Sequence, residues 1–188
     1  MRTVKLLIGA LLGAAMTASA QSKIDASVSY ELQRSNGPAG ECGCFNLQGG
    51  RADASYQAFR RFAIAGEISG AHASSVTGSG LDLSLLTYMA GPRYSLDLNH
   101  GLKPFAQFLI GVVHGFDSTF PHAGGALSSA NSFAFTAGGG LDYGLSRHIV
   151  VRVVQIDYLK TYLPNSATDE QNSLRVGAGI VFRLKLPN

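Results

Sequence analysis

The sequence is poor in charged residues, and this scarcity excludes several protein classes. Only 14% of the 188 residues are Asp, Glu, Lys or Arg, the formal net charge is +3, and tryptophan is absent. A nucleic-acid-binding protein needs a dense basic face, which 15 basic against 12 acidic residues do not supply. Because 46% of the residues are hydrophobic, the chain can bury a real apolar surface and is not an intrinsically disordered protein.

Long hydrophobic runs are absent beyond the N-terminus. After residue 20 no apolar run exceeds seven residues even when glycine is counted, as in residues 108–113 and 176–182, whereas a membrane-spanning helix needs about 20 apolar residues. No transmembrane helix is therefore expected in the mature chain. The 23 glycines make up about 12% of the residues, whereas about 7% is usual. Together with the scarcity of charge, this excess indicates a fold that tolerates few charges and uses many glycines.

The N-terminus has the three parts of a secretory signal peptide. Two positive charges lie within the first five residues, an apolar stretch covers residues 6–16, and the small residues Ala18-Ser19-Ala20 precede Gln21. The apolar stretch is too short to cross the hydrocarbon core of a bilayer as a helix. We expect residues 1–20 to be a signal peptide cleaved between Ala20 and Gln21, and residues 21–188 to form one mature domain.

Apolar and polar residues alternate with a period of two through the remaining chain. Ile24, Val28 and Leu32 fall on one face and Asp25 on the other, a separation that a strand produces and a helix does not. The same pattern predicts eight strands, over residues 24–33, 52–58, 62–70, 81–94, 105–114, 133–143, 149–162 and 173–185. In the seventh, the polar face is continuous only with a one-residue slip near Val153-Val154, which predicts a β-bulge.

The connections between these strands alternate between long and short. The long ones are polar and glycine-rich and span residues 34–49, 73–80, 115–132 and 161–172, whereas the short ones lie near residues 60–61, 97–103 and 145–148. Long loops at one rim, with short turns and both termini at the other, are typical of a transmembrane β-barrel. We predict an all-β fold, an eight-stranded antiparallel up-and-down transmembrane β-barrel with short periplasmic turns and long extracellular loops. The alternative is a secreted soluble lipocalin-like barrel, whose apolar residues would face inward.

An eight-stranded barrel has an interior just wide enough for side chains to fill it. Glycines on the polar faces are expected to point inward for this reason, namely Gly138, Gly140, Gly177 and Gly179. Ten charged residues are predicted to face inward and to pair there, namely Asp25, Glu31, Asp53, Glu67, Asp142, Arg152, Asp157, Arg175, Arg183 and Lys185. Pairing compensates the burial of charge. The lumen is therefore expected to be packed and narrow.

Aromatic residues lie near the ends of the predicted strands, where a membrane barrel has its interfacial girdles. The candidates are Tyr30, Phe62, Tyr94, Phe105, Phe133, Tyr143, Tyr158 and Phe182. Ordinary strand composition is the alternative explanation, because aromatic residues are common in strands.

Several short segments resemble those of the small OmpA-like outer-membrane β-barrel family, which carries porin-like or surface-antigen labels. They are Gly91-Pro92-Arg93-Tyr94, Pro104-Phe105, Gly138-Gly139-Gly140-Leu141-Asp142 and residues 152–158, in an order that follows the eight strands. The resemblance implies a place in the outer membrane of a Gram-negative bacterium, surrounded by outer-membrane lipid. Because the chain ends at its eighth predicted strand, we expect no periplasmic peptidoglycan-binding domain.

The last strand resembles the β-signal that the outer-membrane assembly machinery recognises. It reads Arg175-x-Gly177-x-x-Ile180-x-Phe182, a polar residue and a glycine followed by hydrophobic and aromatic residues at alternating positions. Family members often stop at the aromatic residue, whereas this chain continues through residues 183–188. The resemblance implies the assembly machinery as a partner. A monomer is expected, with no nucleic-acid partner, and the sequence identifies no extracellular partner.

Two cysteines in the first long loop are candidates for local chemistry. Cys42 and Cys44 are separated by one glycine, in a compartment where thiols oxidise. They could form a local disulfide in a small strained ring, stay free or pair between molecules, or bind a metal. A metal would require two further ligands, and nothing in the sequence brings His122 of another long loop to this place. No metal-ligating, cofactor-binding or catalytic residue and no cofactor is predicted.

His72 and Ser74 are the one pair whose spacing resembles a catalytic arrangement. At the long-loop end of the third strand, their i, i+2 spacing directs both side chains outward. A histidine base beside a serine nucleophile at the outer-leaflet interface is what a lipid A deacylase would use. The sequence offers no outward carboxylate to orient the histidine, and the flanking residues do not match that enzyme family. Glu67 and Asp157 are interpreted as members of lumen ion pairs rather than as acid or base catalysts.

These observations lead to four hypotheses for function. The first is an outer-membrane β-barrel of structural or surface-interaction type, with a packed lumen and no catalysis. The alternatives are a narrow porin-like channel, an outer-leaflet lipid-modifying enzyme and the secreted soluble barrel.

Overall fold

The computed structural model describes residues 23–36, 44–74, 76, 82–122, 125–165 and 168–185. Its strands are β1 (Lys23–Asn36), β2 (Cys44–Gln57), β3 (Phe62–Ala73), β4 (Leu83–Ser95), β5 (Leu102–His122), β6 (Gly125–Gly144), β7 (Ile149–Thr161) and β8 (Gln171–Lys185). Each strand pairs antiparallel with the next, and β8 pairs back onto β1 to close a barrel. Within the described ranges, no helix is long and apolar enough to cross a membrane.

The predicted eight-stranded antiparallel up-and-down barrel is confirmed. Several strands extend beyond the ends that alternation predicted. β2 begins at Cys44, β5 continues to His122, and β6 begins at Gly125. Most of the segment predicted as a loop over residues 115–132 is therefore a β-hairpin. Its sequence lacks apolar alternation because cross-strand hydrogen bonds, rather than burial of one face, hold it together. The predicted signal peptide lies outside the described residues.

The two faces of the barrel are inverted relative to a soluble protein. Val28, Ile64 and Ile110 point outward with more than half of their surface exposed, whereas Arg152 and Arg175 point inward and are almost fully buried. An apolar outer surface suits hydrocarbon, and closure of the sheet leaves no unpaired backbone edge within it. A lipocalin-like barrel requires the opposite arrangement, so the soluble alternative is excluded.

The predicted bulge in β7 is confirmed. Asp142 of β6 pairs with Arg152, but the residue before it pairs with Val154, so Val153 is the extra residue. Because of this slip, Arg152 and Gln155 both point into the lumen although they are three residues apart.

Most of the aromatic residues predicted for interfacial girdles lie on the outer face. Six are exposed there, namely Tyr30, Phe62, Phe133, Tyr143, Tyr158 and Phe182. Tyr94 packs against Phe62, with ring centroids 4.9 Å apart. The prediction is wrong for Phe105, which points into the lumen and is 7% exposed. Phe105 shares the inward phase of Gln107, and its ring occupies the space left at Gly140, where a Cβ would lie 2.8 Å from two ring atoms.

The inward glycines allow neighbouring strands to approach closely. A Cβ on Gly179 would collide with the carbonyl oxygen of Val28, and one on Gly177 would lie 2.8 Å from the carbonyl oxygen of Tyr30. Gly66 on the outer face, in contrast, has open space at the same position. At Gly177 and Gly179 the need for glycine thus comes from the backbone of β1 as well as from the narrowness of the lumen.

We expect Gly179→Ala to lower the free energy of unfolding by about 1–3 kcal/mol, because the added methyl group forces β8 away from β1. Gly66→Ala is the matched control and should change it by less than about 0.5 kcal/mol. Urea unfolding in lipid vesicles, followed by the mobility of unheated samples in detergent gels, measures both. Equal losses in the two variants would contradict the close approach at Gly179.

Candidate functional site

A network of ion pairs fills the lumen on the short-turn side of an apolar layer, and its first cluster is built around Asp53. Arg152 contacts Asp53 at 2.8 Å and Asp142 at 2.9 Å, while Arg93 contacts the other Asp53 oxygen at 2.8 Å. The ring of Phe105 lies against both guanidinium groups. Its centroid is 4.8 Å from the Cζ atom of Arg93 and 4.6 Å from the Cζ atom of Arg152. The aromatic face adds to the stabilisation of the two buried cations.

The second cluster lies deeper in the barrel, where two arginines share three carboxylates. Arg51 binds Glu31 and contacts Asp157 at 2.7 Å. Arg175 contacts Glu67 at 2.9 Å and lies 3.8 Å from Asp157. All five side chains are at most 1% exposed. With every group ionised, this cluster carries one surplus negative charge, and both oxygens of Glu67 lack a well-aligned hydrogen bond to any described group.

Two glutamines join the clusters into one network. Gln155 donates to Asp157 at 2.9 Å and accepts from Arg152 at 2.9 Å. Gln107 accepts from Arg93 at 2.7 Å and lies 3.4 Å from Asp157 as a donor. With these two residues included, each of the eight strands contributes at least one side chain to the network. The network therefore ties the whole circumference of the barrel together through its interior.

The structure confirms most of the charged residues predicted to face inward. Seven are buried in the lumen, namely Glu31, Asp53, Glu67, Asp142, Arg152, Asp157 and Arg175. Asp25 and Arg183 form a half-buried ion pair of 3.5 Å at the short-turn rim. The side chain of Lys185 lies outside the described residues.

Sequence reasoning missed two of the four arginines in the network. Arg51 lies two residues before Asp53 and so has the same inward phase, but the predicted strand began at residue 52. Arg93 was missed because the phase of its strand was obscured at Leu85-Leu86. In the structure Leu85 is buried inside and Leu86 is half-buried outside, so the strand keeps its alternation. Extending each strand with an unbroken period of two would have found both arginines.

An apolar layer closes the lumen between the network and the long loops. Leu47, Leu109, Val113 and Leu159 are at most 1% exposed in this layer. An ion entering from the long-loop side would lose its hydration against these side chains, which is costly, before it met charges that are already paired. Along the barrel axis from the long-loop end, the lumen is thus filled first by apolar side chains and then by the ion-pair network.

The β5–β6 hairpin bends over the long-loop end of this layer. Its register shifts between Phe116 and Phe120, and Asp117 has a φ of +60° at this irregularity. A bulge of this kind bends the strand. As a result Phe120 turns into the mouth of the barrel, where it is buried, and a carboxylate oxygen of Asp117 accepts a hydrogen bond of 2.8 Å from Ser84.

His72 and Ser74 lie exposed on the outer face, as predicted. The Nε2 atom of His72 is 3.4 Å from the Ser74 hydroxyl, and its Nδ1 atom is 3.0 Å from the Ser84 hydroxyl, which donates to Asp117. The structure therefore corrects the expectation that no outward carboxylate lies nearby, because strand pairing brings β4 and β5 beside β3. Asp117 nevertheless contacts Ser84 rather than the imidazole, and 3.4 Å is long for proton transfer from the serine.

The metal and disulfide alternatives stay open. Cys42 lies outside the described residues, and Cys44 is exposed at the start of β2. The side chain of His122, at the end of β5, is also outside the described set. In the part of the chain that the structure describes, no group of three His, Cys, Asp or Glu residues is placed to hold a metal ion.

We expect Arg175→Met to lower the free energy of unfolding by about 3–5 kcal/mol, because it leaves the three buried carboxylates of the second cluster to share Arg51. Glu67→Gln conserves volume and removes the surplus negative charge, so its cost should be less than half as large. Urea unfolding in lipid vesicles compares the two with the unsubstituted protein. A larger loss for Glu67→Gln than for Arg175→Met would show that the charge balance of the second cluster is misassigned.

Comparison with solved structures agrees with the fold. The barrel is similar to Ail of Yersinia pestis, with a TM-score of 0.59 and 18% identity over 88% of this chain and 100% of that one. It is similar to neisserial surface protein A (TM-score 0.59, 14% identity, covering 89% and 98% of the two chains) and to OprG of Pseudomonas aeruginosa (TM-score 0.50, 12% identity, covering 88% and 97%). At these identities the likeness shows the fold alone.

No curated protein sequence matches the chain significantly. The family model for the outer membrane protein beta-barrel domain does match, and it covers residues 3–182. This match agrees with the closed barrel, the apolar outer face and the filled lumen. The chain belongs to the outer membrane protein beta-barrel domain family and is an outer-membrane protein.

Proposed function

We propose that this barrel is a closed, non-catalytic protein of the outer membrane whose roles are structural and surface contact. The observation that carries the proposal is the filled lumen, in which an apolar layer and an ion-pair network from all eight strands succeed one another. A monomeric barrel, inserted by the assembly machinery through β8, is part of the same proposal.

The surface that makes contact is the long-loop end, above all the β5–β6 hairpin. Six residues of β5 and nine of β6 run past the last pairing with β4 and β7, which corresponds to roughly 20–30 Å of extended chain. Hairpin residues such as Leu127 are exposed. This places a hairpin whose described residues carry one charge, that of Asp117, where a partner outside the cell would first meet the protein.

The charge at this end favours a partner other than a sulfated polyanion. Ail has been solved in complex with the heparin analogue sucrose octasulfate, and recognition of a polyanion requires a cluster of basic side chains. In this chain the described long-loop end has two basic and four acidic residues, namely Arg34, Lys160, Asp82, Asp117, Asp169 and Glu170. Lys160 is moreover paired with Glu170 at 2.9 Å.

We expect the refolded protein to produce no discrete conductance steps in planar lipid bilayers. The apolar layer imposes a dehydration cost on any ion, and the four arginines of the network beneath it already balance four of its five carboxylates. Single-channel recording over a range of voltages measures this, with a water-filled porin as the positive control. A folded barrel shifts in gel mobility on heating, and this shift verifies the sample. Regular conductance steps from such folded protein would contradict the proposal and support the narrow-channel alternative.

We expect cells that produce the unsubstituted protein to have the same lipid A acyl pattern as cells that lack the protein. Cells that produce the Ser74→Ala variant should have this pattern too. The Ser74 hydroxyl lies 3.4 Å from His72, which is long for proton transfer, and among the described residues the neighbouring carboxylate of Asp117 contacts Ser84 rather than the imidazole. Mass spectrometry of lipid A measures the pattern, with Ser129→Ala in the hairpin as the matched control. An acyl chain lost with the unsubstituted protein and restored by Ser74→Ala alone would establish the enzyme alternative.

A further inference from the structure

A cavity of about 300 Å³ opens at the long-loop end of the barrel, above the apolar layer. Its wall is formed by apolar side chains from separate segments of the chain, among them Phe45 of β2, Leu83 of β4, Phe120 of β5 and Leu163 after β7. None of the described lining residues is charged. Its polar groups are the hydroxyls of Ser118 and Thr119 and the side-chain amides of Asn36, Asn165 and Gln171.

The cavity is held in shape by specific contacts. Gln171 donates to the carbonyl oxygen of Leu163 at 2.8 Å and accepts from its amide at 3.0 Å, so that the segment after β7 is fixed against the start of β8. On the opposite side, the bond from Ser84 to Asp117 fastens the bend that turns Phe120 into the mouth. The walls are therefore built by the folded chain, as ligand pockets in proteins usually are.

The floor of the cavity is continuous with the closed part of the lumen. Phe120 and Leu163 belong both to the cavity wall and to the buried apolar layer beneath it. A molecule that enters from outside would reach an apolar floor and proceed no further. The cavity is thus suited to holding a ligand at the surface rather than to passing it through the membrane.

We propose that this cavity binds a small uncharged amphiphile that enters from the extracellular side. At ~30 Å³ for each water-sized group, the volume accommodates about ten non-hydrogen atoms. The apolar wall takes the hydrocarbon body, and the hydroxyls of Ser118 and Thr119 take the polar end, because the amide oxygens of Asn36, Asn165 and Gln171 already accept hydrogen bonds within the protein. A charged end would lose its hydration without finding a counter-charge among the lining residues, so ions of the same length should bind much more weakly.

This site goes beyond the proposed structural role and is independent of it. A closed barrel needs no ligand, and ligand binding at the mouth needs no conductance. The two are tested by different measurements, so either result leaves the other standing.

The test uses 1-octanol as the probe and the full mature protein in phospholipid nanodiscs, because detergent would itself compete for an apolar cavity. With methyl-labelled protein, 1-octanol should produce saturable shifts of the Leu83 and Leu163 methyl signals in NMR spectra. The lipid-facing methyl groups of Val28 and Ile64 report simple partition of 1-octanol into the bilayer. Their shifts should not reach saturation at the concentrations that saturate the shifts of Leu83 and Leu163. Octanoate, which has the same chain length and a negative charge, should bind roughly a hundredfold more weakly.

Two variants separate the cavity from the rest of the surface. Leu83→Gln should weaken 1-octanol binding about tenfold, because a polar group replaces apolar wall. Leu127→Gln, the same change at an exposed hairpin position outside the cavity, should leave the affinity unchanged. Leu83→Trp fills the space without adding a charge and should abolish 1-octanol binding. This second variant keeps the test valid if Leu83→Gln fails to fold.

Several outcomes would overturn the proposal. Shifts at Leu83 and Leu163 that follow those of Val28 and Ile64 would mean partition into lipid only. The absence of any saturable shift would mean that the cavity is covered by the chain itself. Equal affinity for octanoate, or undiminished affinity in both Leu83 variants, would mean that the probe binds elsewhere.

Discussion

Hydrocarbon offers no hydrogen-bond partner to the protein backbone, and the rest of this structure depends on that constraint. A sheet that crosses it must pair every N–H and C=O internally, which eight strands achieve when β8 closes onto β1. Closure with so few strands makes the lumen narrow. The narrow lumen accounts for the inward glycines, where a side chain would collide with neighbouring backbone, as at Gly179.

The ion-pair network makes the interior specific as well as filled. Replacing buried ion pairs by apolar side chains is often neutral or stabilising, so the network is weak evidence for stability in itself. Its members come from all eight strands, however, and a slip of one residue in any strand would turn a charged or amide side chain toward lipid. The register of the barrel is thus tied to the pairing of Arg51, Arg152 and their partners. The cost of misplacing a charge is greatest in hydrocarbon, which is where this specification is needed.

The two ends of the barrel differ in chemistry. The paired charges lie on the short-turn side of the apolar layer, whereas the long-loop end holds apolar side chains and opens into a cavity whose described lining residues are uncharged. This asymmetry is the basis of the surface contact and the ligand binding that we propose. His72 lies beside this region on the outer face, linked through Ser84 to Asp117, and there its contacts help to hold the base of the hairpin.

The sequence by itself determined the number of strands, which face of most of them points outward, the bulge at Val153 and most of the charged residues of the lumen, because a period of two is a local property that a single strand displays. The extent of β5 and β6 was not visible in it, since their outer ends pair without burying an apolar face. Only the tertiary structure decided which charges pair, that Phe105 packs against Arg93 and Arg152, and that Phe120 and Leu163 meet to form a cavity. These contacts join residues far apart in the chain, and they depend on the register and the radius of the closed barrel, which no local pattern encodes.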